Sequence, residues 1–192
     1  MGRRPVRITV EHTVDPAPFY GLYVAAFAPL RTTAAARHLL TADEFAAEMA
    51  DPRIDKYVAW DNRGDTGGDA VALTTLTTDL AAVPWVSPEY FAARYPRHHA
   101  RRAIYYLGYT LVHPDHEGEG LFARIAARLA RRMTEERAVC AFDVCAHNDG
   151  VHGIGRRIAG LSRSLDMTLD TVDVQTYYAA AFNGPRTATA QV

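Results

Sequence analysis

Residues 107–133 read LGYTLVHPDHEGEGLFARIAARLARRM. An apolar run ends at Val112-His113-Pro114, a turn with two glycines (EGEG) occupies residues 117–120, and a helical apolar period begins at Leu121. When a strand enters a helix through glycines, the first N–H groups of the helix keep no acceptor within the helix. These donors lie at the positive end of the helix dipole, so the segment predicts an anion-binding site.

The patterns on either side of this unit predict further strands and helices. Strands are predicted at residues 7–14, 57–60, 70–78, 103–112, 139–146 and 169–178. Helices are predicted at residues 18–27, 41–50, 89–94, 121–133 and 151–165. The second of these helices begins with a capping box formed by Thr41 and Glu44. The order predicts an α/β (α+β) fold whose first half pairs antiparallel and whose second half contains a parallel pair.

Size and composition are those of an ordinary globular domain. The chain has 192 residues, of which 48% are hydrophobic and 22% charged, with a net charge of −1. Such a balance gives no overall attraction to nucleic acid or to an anionic membrane, and no apolar run is long enough to span one. We expect a single domain over residues 1–182 with an insert at about 80–102, a frayed tail over 183–192, and a cytoplasmic location.

The strand–glycine turn–helix unit resembles the acyl-CoA site of the GNAT-type N-acyltransferases, and the order of elements is similar to that fold over about residues 7–178. The resemblance implies a GNAT-like, mostly antiparallel twisted sheet with a parallel strand pair around the cofactor cleft. It implies acetyl-CoA or another acyl-CoA as co-substrate, a small-molecule amine as acceptor, and no metal. The residues that it assigns to the donor site are Leu111, Val112, Glu117, Gly118, Glu119, Gly120, Leu121, Phe122 and Asn148.

The turn departs from the family at two positions. Glu117 stands where the family has arginine or glutamine, and Phe122 stands where it has a small residue. A carboxylate about 7 Å from a phosphate charge opposes binding by roughly 2 kcal/mol at an effective dielectric of about 20, whereas the helix dipole contributes about 0.3–1 kcal/mol. Either the acidic side chains near the turn point outward, or the donor is not plain CoA. Asn148, similarly, either contacts the donor or caps the last helix.

Acyl transfer requires an oxyanion donor, a base for the amine and an acid for the thiolate. By the resemblance, a bulge at Gly108 would expose the N–H of Tyr109 or Leu111 to the thioester carbonyl. The family's usual acid is a tyrosine at the position of Gly155, so that residue is missing here. The substitutes that we consider for a catalytic role are Tyr177, Tyr178 and His152, together with Asp143 as a base or amine anchor.

Aromatic residues in and after the insert predict the wall of an acceptor site. The residues assigned to this wall are Trp85, Tyr90, Tyr105 and Tyr109. Their character favours an acceptor with an apolar or planar surface. Two alternatives stay open, because the same residues suit a cover over a sheet edge or a dimer contact.

Other classes of function receive less support. The eight histidines show no recognised zinc spacing. Arginines 124–132 are assigned to a solvated helix face followed by Glu135 and Glu136, so nucleic-acid binding is not expected. Within the same fold, an acyl-carrier protein is the alternative donor, and a non-catalytic metabolite-binding protein is the alternative function. GNAT proteins often dimerise through their last elements, so the resemblance also suggests a homodimer.

Overall fold

The computed structural model describes residues 6–61, 68–116 and 118–181. Within them a five-stranded sheet consists of β1 (Val6–Glu11), β2 (Ile54–Asp61), β3 (Asp69–Thr77), β4 (Ile104–Val112) and β5 (Val139–Ala141). The helices are α1 (Ala17–Phe27), α2 (Leu30–Thr33), α3 (Ala42–Ala50), α4 (Pro88–Arg94), α5 (Pro96–Ala100), α6 (Leu121–Glu135), α7 (Ala146–His152), α8 (Ile154–Ala159) and α9 (Ser162–Leu165). Short 3-10 turns lie at Leu80–Ala82 and Pro114–His116.

The strands lie in the order in which they occur in the chain. The pairs β1–β2, β2–β3 and β3–β4 are antiparallel, and β4–β5 is parallel. This arrangement confirms the mixed, mostly antiparallel sheet predicted from the sequence. No helix among the described residues is both long and apolar enough to cross a membrane.

Helices pack on both faces of the sheet because side chains alternate along each strand. Tyr57 contributes to the core beneath α6, where Leu121 and Ile125 are buried. Its neighbour Val58 points to the other face and packs beneath α1 and α3 against Phe19. A third cluster joins the segment over residues 80–95 to β4 and β5. The sheet is therefore covered on both sides, with the glycine turn at one end of it.

The N-terminus of α3 is capped as predicted. The Glu44 amide donates to Thr41 Oγ1 at 3.2 Å, and the Thr41 amide donates to Glu44 Oε2 at 2.7 Å. This reciprocal pair satisfies two N–H groups at the start of the helix. It fixes where α3 begins and how its apolar face meets the sheet.

Three arginines of α6 bind the sheet, although Arg124 and Arg128 lie on the exposed side of the helix as expected. Arg124 donates to the Val6 carbonyl at 2.6 Å, and Arg128 donates to the Ile8 carbonyl at 3.1 Å. The spacing of the two arginines matches the spacing of the two carbonyls, since four residues of helix rise about 6.0 Å and two residues of strand about 6.6 Å. Arg132 is also bound, to Asp55 and Tyr57. Arg124 and Arg128 thus satisfy carbonyls at the outer edge of β1, and all three arginines tie α6 to the sheet.

The C-terminal third differs from the prediction. The strand predicted over residues 139–146 ends at Ala141, and residues 166–181, including the strand predicted over 169–178, have no regular secondary structure. The helix predicted over residues 151–165 is divided among α7, α8 and α9, with Gly153 in the left-handed region at φ +59° between the first two. A segment with an alternating pattern forms a strand only where it can pair with the edge strand of a sheet. The edge strand β5 presents only three residues for such pairing. The predicted tail over residues 183–192 lies outside the described residues.

A bulge interrupts the pairing of β3 and β4. Thr74 pairs with Thr110 and Leu76 with Leu107, so Gly108 and Tyr109 of β4 together lie opposite Thr75 of β3. A Cβ atom added at Gly108 would fall closer than 3.0 Å to Thr75 Oγ1. Glycine fits here because the Thr75 hydroxyl occupies the space that a Cβ atom would need.

Replacing Gly108 by alanine therefore tests the close approach. We expect Gly108→Ala to destabilise the protein by about 1–3 kcal/mol, measured by denaturant unfolding, because Cβ overlaps Thr75 Oγ1. Thr75→Ala removes that oxygen, and the nearest remaining side-chain atom would be Cβ at 3.7 Å. The double variant should consequently lose much less stability than the sum of the two single variants. Simple additivity would contradict the assignment of the overlap.

Candidate acyl-donor site

At the start of α6 lie backbone amides for which the described residues offer no acceptor. Gly118 and Gly120 both adopt left-handed conformations, at φ +78° and +77°, and Gly120 is the residue that precedes the helix. The first hydrogen bond into the helix runs from the Arg124 amide to the Gly120 carbonyl at 3.0 Å. The amides of residues 121–123 have no acceptor within the described part of the chain. They form a set of donors at the positive end of a 15-residue helix.

The acids of the turn have other partners. Glu119 Oε2 lies 2.9 Å from His116 Nδ1, and the Asp115 carboxylate is mostly exposed and 3.9 Å from His113 Nδ1. Neither carboxylate bonds to the amides of residues 121–123. The Asp115 and Glu119 carboxylates are therefore directed away from the amides of residues 121–123. Glu117 lies outside the described residues.

Strands β4 and β5 separate beside the bulge. Their pairing covers only Ile104–Tyr106 of β4 and Val139–Ala141 of β5. Beyond this point β4 continues to Val112 while the chain after β5 leaves the sheet and enters α7 at Ala146. In the described part of the protein, residues 107–112 therefore have no strand paired on that side. The region between this edge and the chain that leaves β5 is called the gap below. This free edge, which includes Leu111 and Val112, leads directly to the glycine turn.

A hydrogen-bonded group of side chains lies where the two strands separate. Trp85 Nε1 donates to the Tyr106 hydroxyl at 2.9 Å, and the Tyr106 hydroxyl donates to the Asp143 carboxylate. Burial and the adjacent carboxylate raise the pKa of Tyr106, so its hydroxyl stays protonated. Asp143 is exposed, and 59% of the Trp85 surface is accessible. A held carboxylate and an open indole thus lie together at the mouth of the gap.

The structure separates the four aromatic residues assigned to the acceptor wall. Trp85 lies at the gap, and the Tyr90 hydroxyl donates to the Val172 carbonyl at 2.7 Å. Tyr105 faces α6, where its hydroxyl donates to Glu136, and burial raises its pKa to about 12. Tyr109 points to the opposite face and packs against Tyr23 with ring centroids 5.1 Å apart. The sequence contained no signal for this division, because it depends on which face each β4 residue meets.

Tyr109 and Glu48 form a half-buried polar pair that the sequence analysis missed. The Tyr109 hydroxyl is buried and has no partner at hydrogen-bond geometry, although Glu48 is close enough to raise its pKa further than burial alone. Burial likewise raises the pKa of Glu48, which lies between the core residues Phe45 and Met49 of α3. Its helical spacing beside those two residues was the available signal. The pair lies on the face of β4 that carries the bulge residue Tyr109.

The remaining candidates lie on the C-terminal segments. Tyr177 and Tyr178 are 54% and 93% exposed, and His152 is the exposed last residue of α7. Asn148 is half-buried within α7 and caps no helix, whereas Asp149 Oδ1 accepts the Gly155 amide at 2.8 Å at the start of α8. Asn148 therefore caps no helix, and Asp149 bonds the first turn of α8 from within α7. The described residues contain no cluster of three or more metal-ligating side chains.

The raised pKa of Glu48 gives a stability prediction with a defined sign. The folded protein binds this proton more tightly than the unfolded chain, so ionisation of Glu48 lowers stability as the pH rises above the usual glutamate range. Glu48→Gln carries no such penalty. We expect the Tm difference between Glu48→Gln and wild type to grow in favour of the variant from pH 4 to pH 8. Asp43→Asn, an exposed acid on the same helix, is the control, and an equal slope in both variants would contradict the burial of Glu48.

Comparison with known proteins gives matches among solved structures. No protein-family model and no curated protein matches the chain. A ribosomal-protein-alanine N-acetyltransferase from Brucella melitensis biovar Abortus 2308 has a TM-score of 0.51, with 17% identity over 91% of this chain and 100% of its own. An aminoglycoside acetyltransferase from an uncultured soil metagenomic sample also has a TM-score of 0.51, with 13% identity over 92% and 97%.

A third match is an aminoglycoside N-acetyltransferase in complex with CoA. Its TM-score is 0.51, with 14% identity over 93% of this chain and 97% of its own. Together these likenesses show that the chain has the GNAT-type N-acyltransferase fold. At such identities they show the fold alone.

Proposed function

We propose that this protein is an N-acyltransferase that moves an acetyl group from acetyl-CoA to a small-molecule amine. The observation that carries the proposal is the set of open amides at residues 121–123, which lies at the end of the unpaired edge of β4. Phosphates bind such helix starts, and an extended arm attached to them would follow the strand edge. The shared fold supports the proposal, since one of the matched structures holds CoA.

The donor would occupy the gap between β4 and β5. Its diphosphate would accept hydrogen bonds from the amides of residues 121–123, with Gly118 and Gly120 permitting close approach of the backbone. The amide-bearing arm would lie along Leu111 and Val112, whose outward backbone groups face the gap. Asn148 of α7 is the residue assigned to contact this arm from beyond the gap. The thioester would then reach the bulge.

The bulge and Asp143 would carry out the chemistry. A backbone N–H of Tyr109 or Leu111 would polarise the thioester carbonyl. Asp143 would take the proton from the ammonium, the free amine would form the C–N bond, and the C–S bond would break. The departing thiolate needs a proton, for which Tyr177, Tyr178 and His152 stay predictions. The Tyr106 hydroxyl would fix the Asp143 carboxylate at the mouth of the gap.

The acceptor would be a cationic amine with a flat or apolar portion. Asp143 offers a negative charge and Trp85 an accessible aromatic face, the combination that attracts such a cation. Among the matched proteins, two are named for aminoglycosides and one for a ribosomal-protein alanine. For this protein we propose the small-molecule class and a cytoplasmic location.

The donor assignment is tested at Phe122, whose side chain is 61% exposed. Phe122→Pro removes one open N–H and breaks no helical hydrogen bond, whereas Phe122→Ala keeps the amide. By calorimetry we expect Phe122→Pro to weaken CoA binding about tenfold, a typical effect of losing one hydrogen bond to a charged group. Phe122→Ala should stay within about threefold of wild type. Equal affinity of both variants, at unchanged Tm, would contradict the site.

Wild-type protein provides the test of the reaction itself. Thiol release from acetyl-CoA should depend on an added amine and saturate with both substrates. Absence of CoA binding at millimolar concentration would overturn the proposal. If acyl-carrier protein supplies the acyl group and acetyl-CoA does not, the donor would be reassigned and the acyl-transfer chemistry kept.

Replacing Asp143 by asparagine tests its role as the base. We expect Asp143→Asn to lower kcat about a hundredfold, as loss of a general base does, with the KM for acetyl-CoA nearly unchanged. Asp170→Asn, an exposed acid in the C-terminal segment, is the matched control and should keep wild-type kinetics. An unchanged kcat in Asp143→Asn would remove this residue from the mechanism.

A further inference from the structure

Two arginines hold the backbone in a conformation that favours glycine. Within the described residues, only Arg102, Arg137 and Asp166 combine a side chain with a left-handed φ, at 56°, 45° and 48°. Arg102 follows the last residues of α5, and Arg137 follows those of α6. Glycine is the usual residue at such a helix end, because a Cβ atom raises the cost of the left-handed conformation. The two arginines therefore carry a backbone cost that glycine would avoid.

The parallel pairing of β4 and β5 brings these two helix ends together. Each of the two arginines lies two residues before a member of the pair Ile104 and Val139, with which the parallel ladder begins. The guanidinium of Arg101 crosses between the helix ends and donates to the carbonyls of Glu136 and Arg137. One junction, where β4 and β5 begin, therefore holds three arginines.

Two of these three charges lack a counter-charge. The side chains of Arg102 and Arg137 are exposed, and neither has an ion-pair, hydrogen-bond or ring partner among the residues that the structure describes. Glu136, next to Arg137 in sequence, faces Arg132 at 3.4 Å. Arg101 already meets the last carbonyls of α6, where a cation balances the helix dipole. The two remaining guanidiniums are thus free to bind an anion.

We propose that Arg102 and Arg137 form a binding site for a small phosphate-bearing molecule at the start of β4 and β5. A guanidinium presents parallel N–H groups that match two phosphate oxygens, and two guanidiniums match the double negative charge of a phosphate monoester or a diphosphate. A nucleic-acid strand would need a longer row of phosphate contacts. A bound phosphate explains why arginine stands at both helix ends in place of glycine.

This site is separate from the donor amides. Strand β4 lies between them, and its nine residues span about 30 Å from Ile104 to Val112. The phosphates that the donor would place at residues 121–123 are therefore not the phosphate bound here. Because it uses no residue of the donor site, this inference stands independently of the proposed function.

Substitution by glycine separates binding from folding. In Arg102→Gly/Arg137→Gly we expect the Tm to rise by about 2–4 °C, because glycine removes the cost of a side chain in the left-handed region. Affinity for inorganic pyrophosphate should fall about tenfold or more, measured in a titration by the ¹⁵N shifts of the Ala103 and Ala138 amides. A purely structural role of the arginines predicts the opposite change in Tm.

Two control variants match the two parts of this change. Asp166→Gly removes the third left-handed side chain, so it should raise the Tm without altering the affinity for pyrophosphate. Arg7→Ala removes an exposed positive charge on β1, at the opposite edge of the sheet. Its affinity for pyrophosphate should stay within about threefold of that of wild type.

Three results would overturn the inference. In the first, the Ala103 and Ala138 amides of wild-type protein do not respond to millimolar pyrophosphate, even if those of residues 121–123 do. In the second, the glycine variant binds pyrophosphate as tightly as wild type. In the third, its Tm is lower than that of wild type. Should the glycine variant fail to fold, Arg102→Gln/Arg137→Gln keeps both side chains without their charge and must show the same loss of affinity at unchanged Tm.

Discussion

The separation of β4 and β5 after Tyr106 and Ala141 is the constraint on which the site depends. Parallel pairing ends after three residues, so β4 continues to Val112 with one edge unpaired. The bulge at Gly108–Tyr109 lies directly beyond the last pair, and the glycine turn lies at the other end of the free edge. Unpaired backbone groups are unfavourable in a folded protein unless water or a ligand satisfies them. A single elongated ligand can satisfy the strand edge and the helix start together.

Local signals in the sequence predicted much of the fold. The capping box at Thr41, the helical period of α6 and the two glycines before it depend on neighbours within a few residues, and each lies where it was expected. The strand predicted over residues 169–178 was wrong, because an alternating pattern favours a strand but does not provide the neighbouring strand with which it must pair. Longer-range features had no local signal at all. The side chains of Asp61 and His116 lie 3.7 Å apart because β3 pairs with both β2, which ends at Asp61, and β4, which leads to His116.

The charged side chains around α6 act through contacts with nearby groups. Arg124 and Arg128 satisfy the carbonyls of β1, and Arg132 is bound by Asp55 and Tyr57, so the basic face of α6 serves packing. The acids near the turn are likewise engaged, Glu119 by His116 and Asp115 beside His113. The dipole of α6 adds a positive potential at the start of the helix. In our account, an almost neutral chain selects an anion through the placement of its charges, not through their sum.

Amide chemical shifts report directly on whether the first-turn N–H groups of α6 bind phosphate. In a ¹⁵N-labelled sample titrated with CoA, we expect saturable shifts of the amide resonances of Leu121, Phe122 and Ala123, since these N–H groups would gain phosphate acceptors. Resonances at the C-terminal end of α6 should stay in place. Binding of CoA that leaves the three amides unchanged would contradict the account.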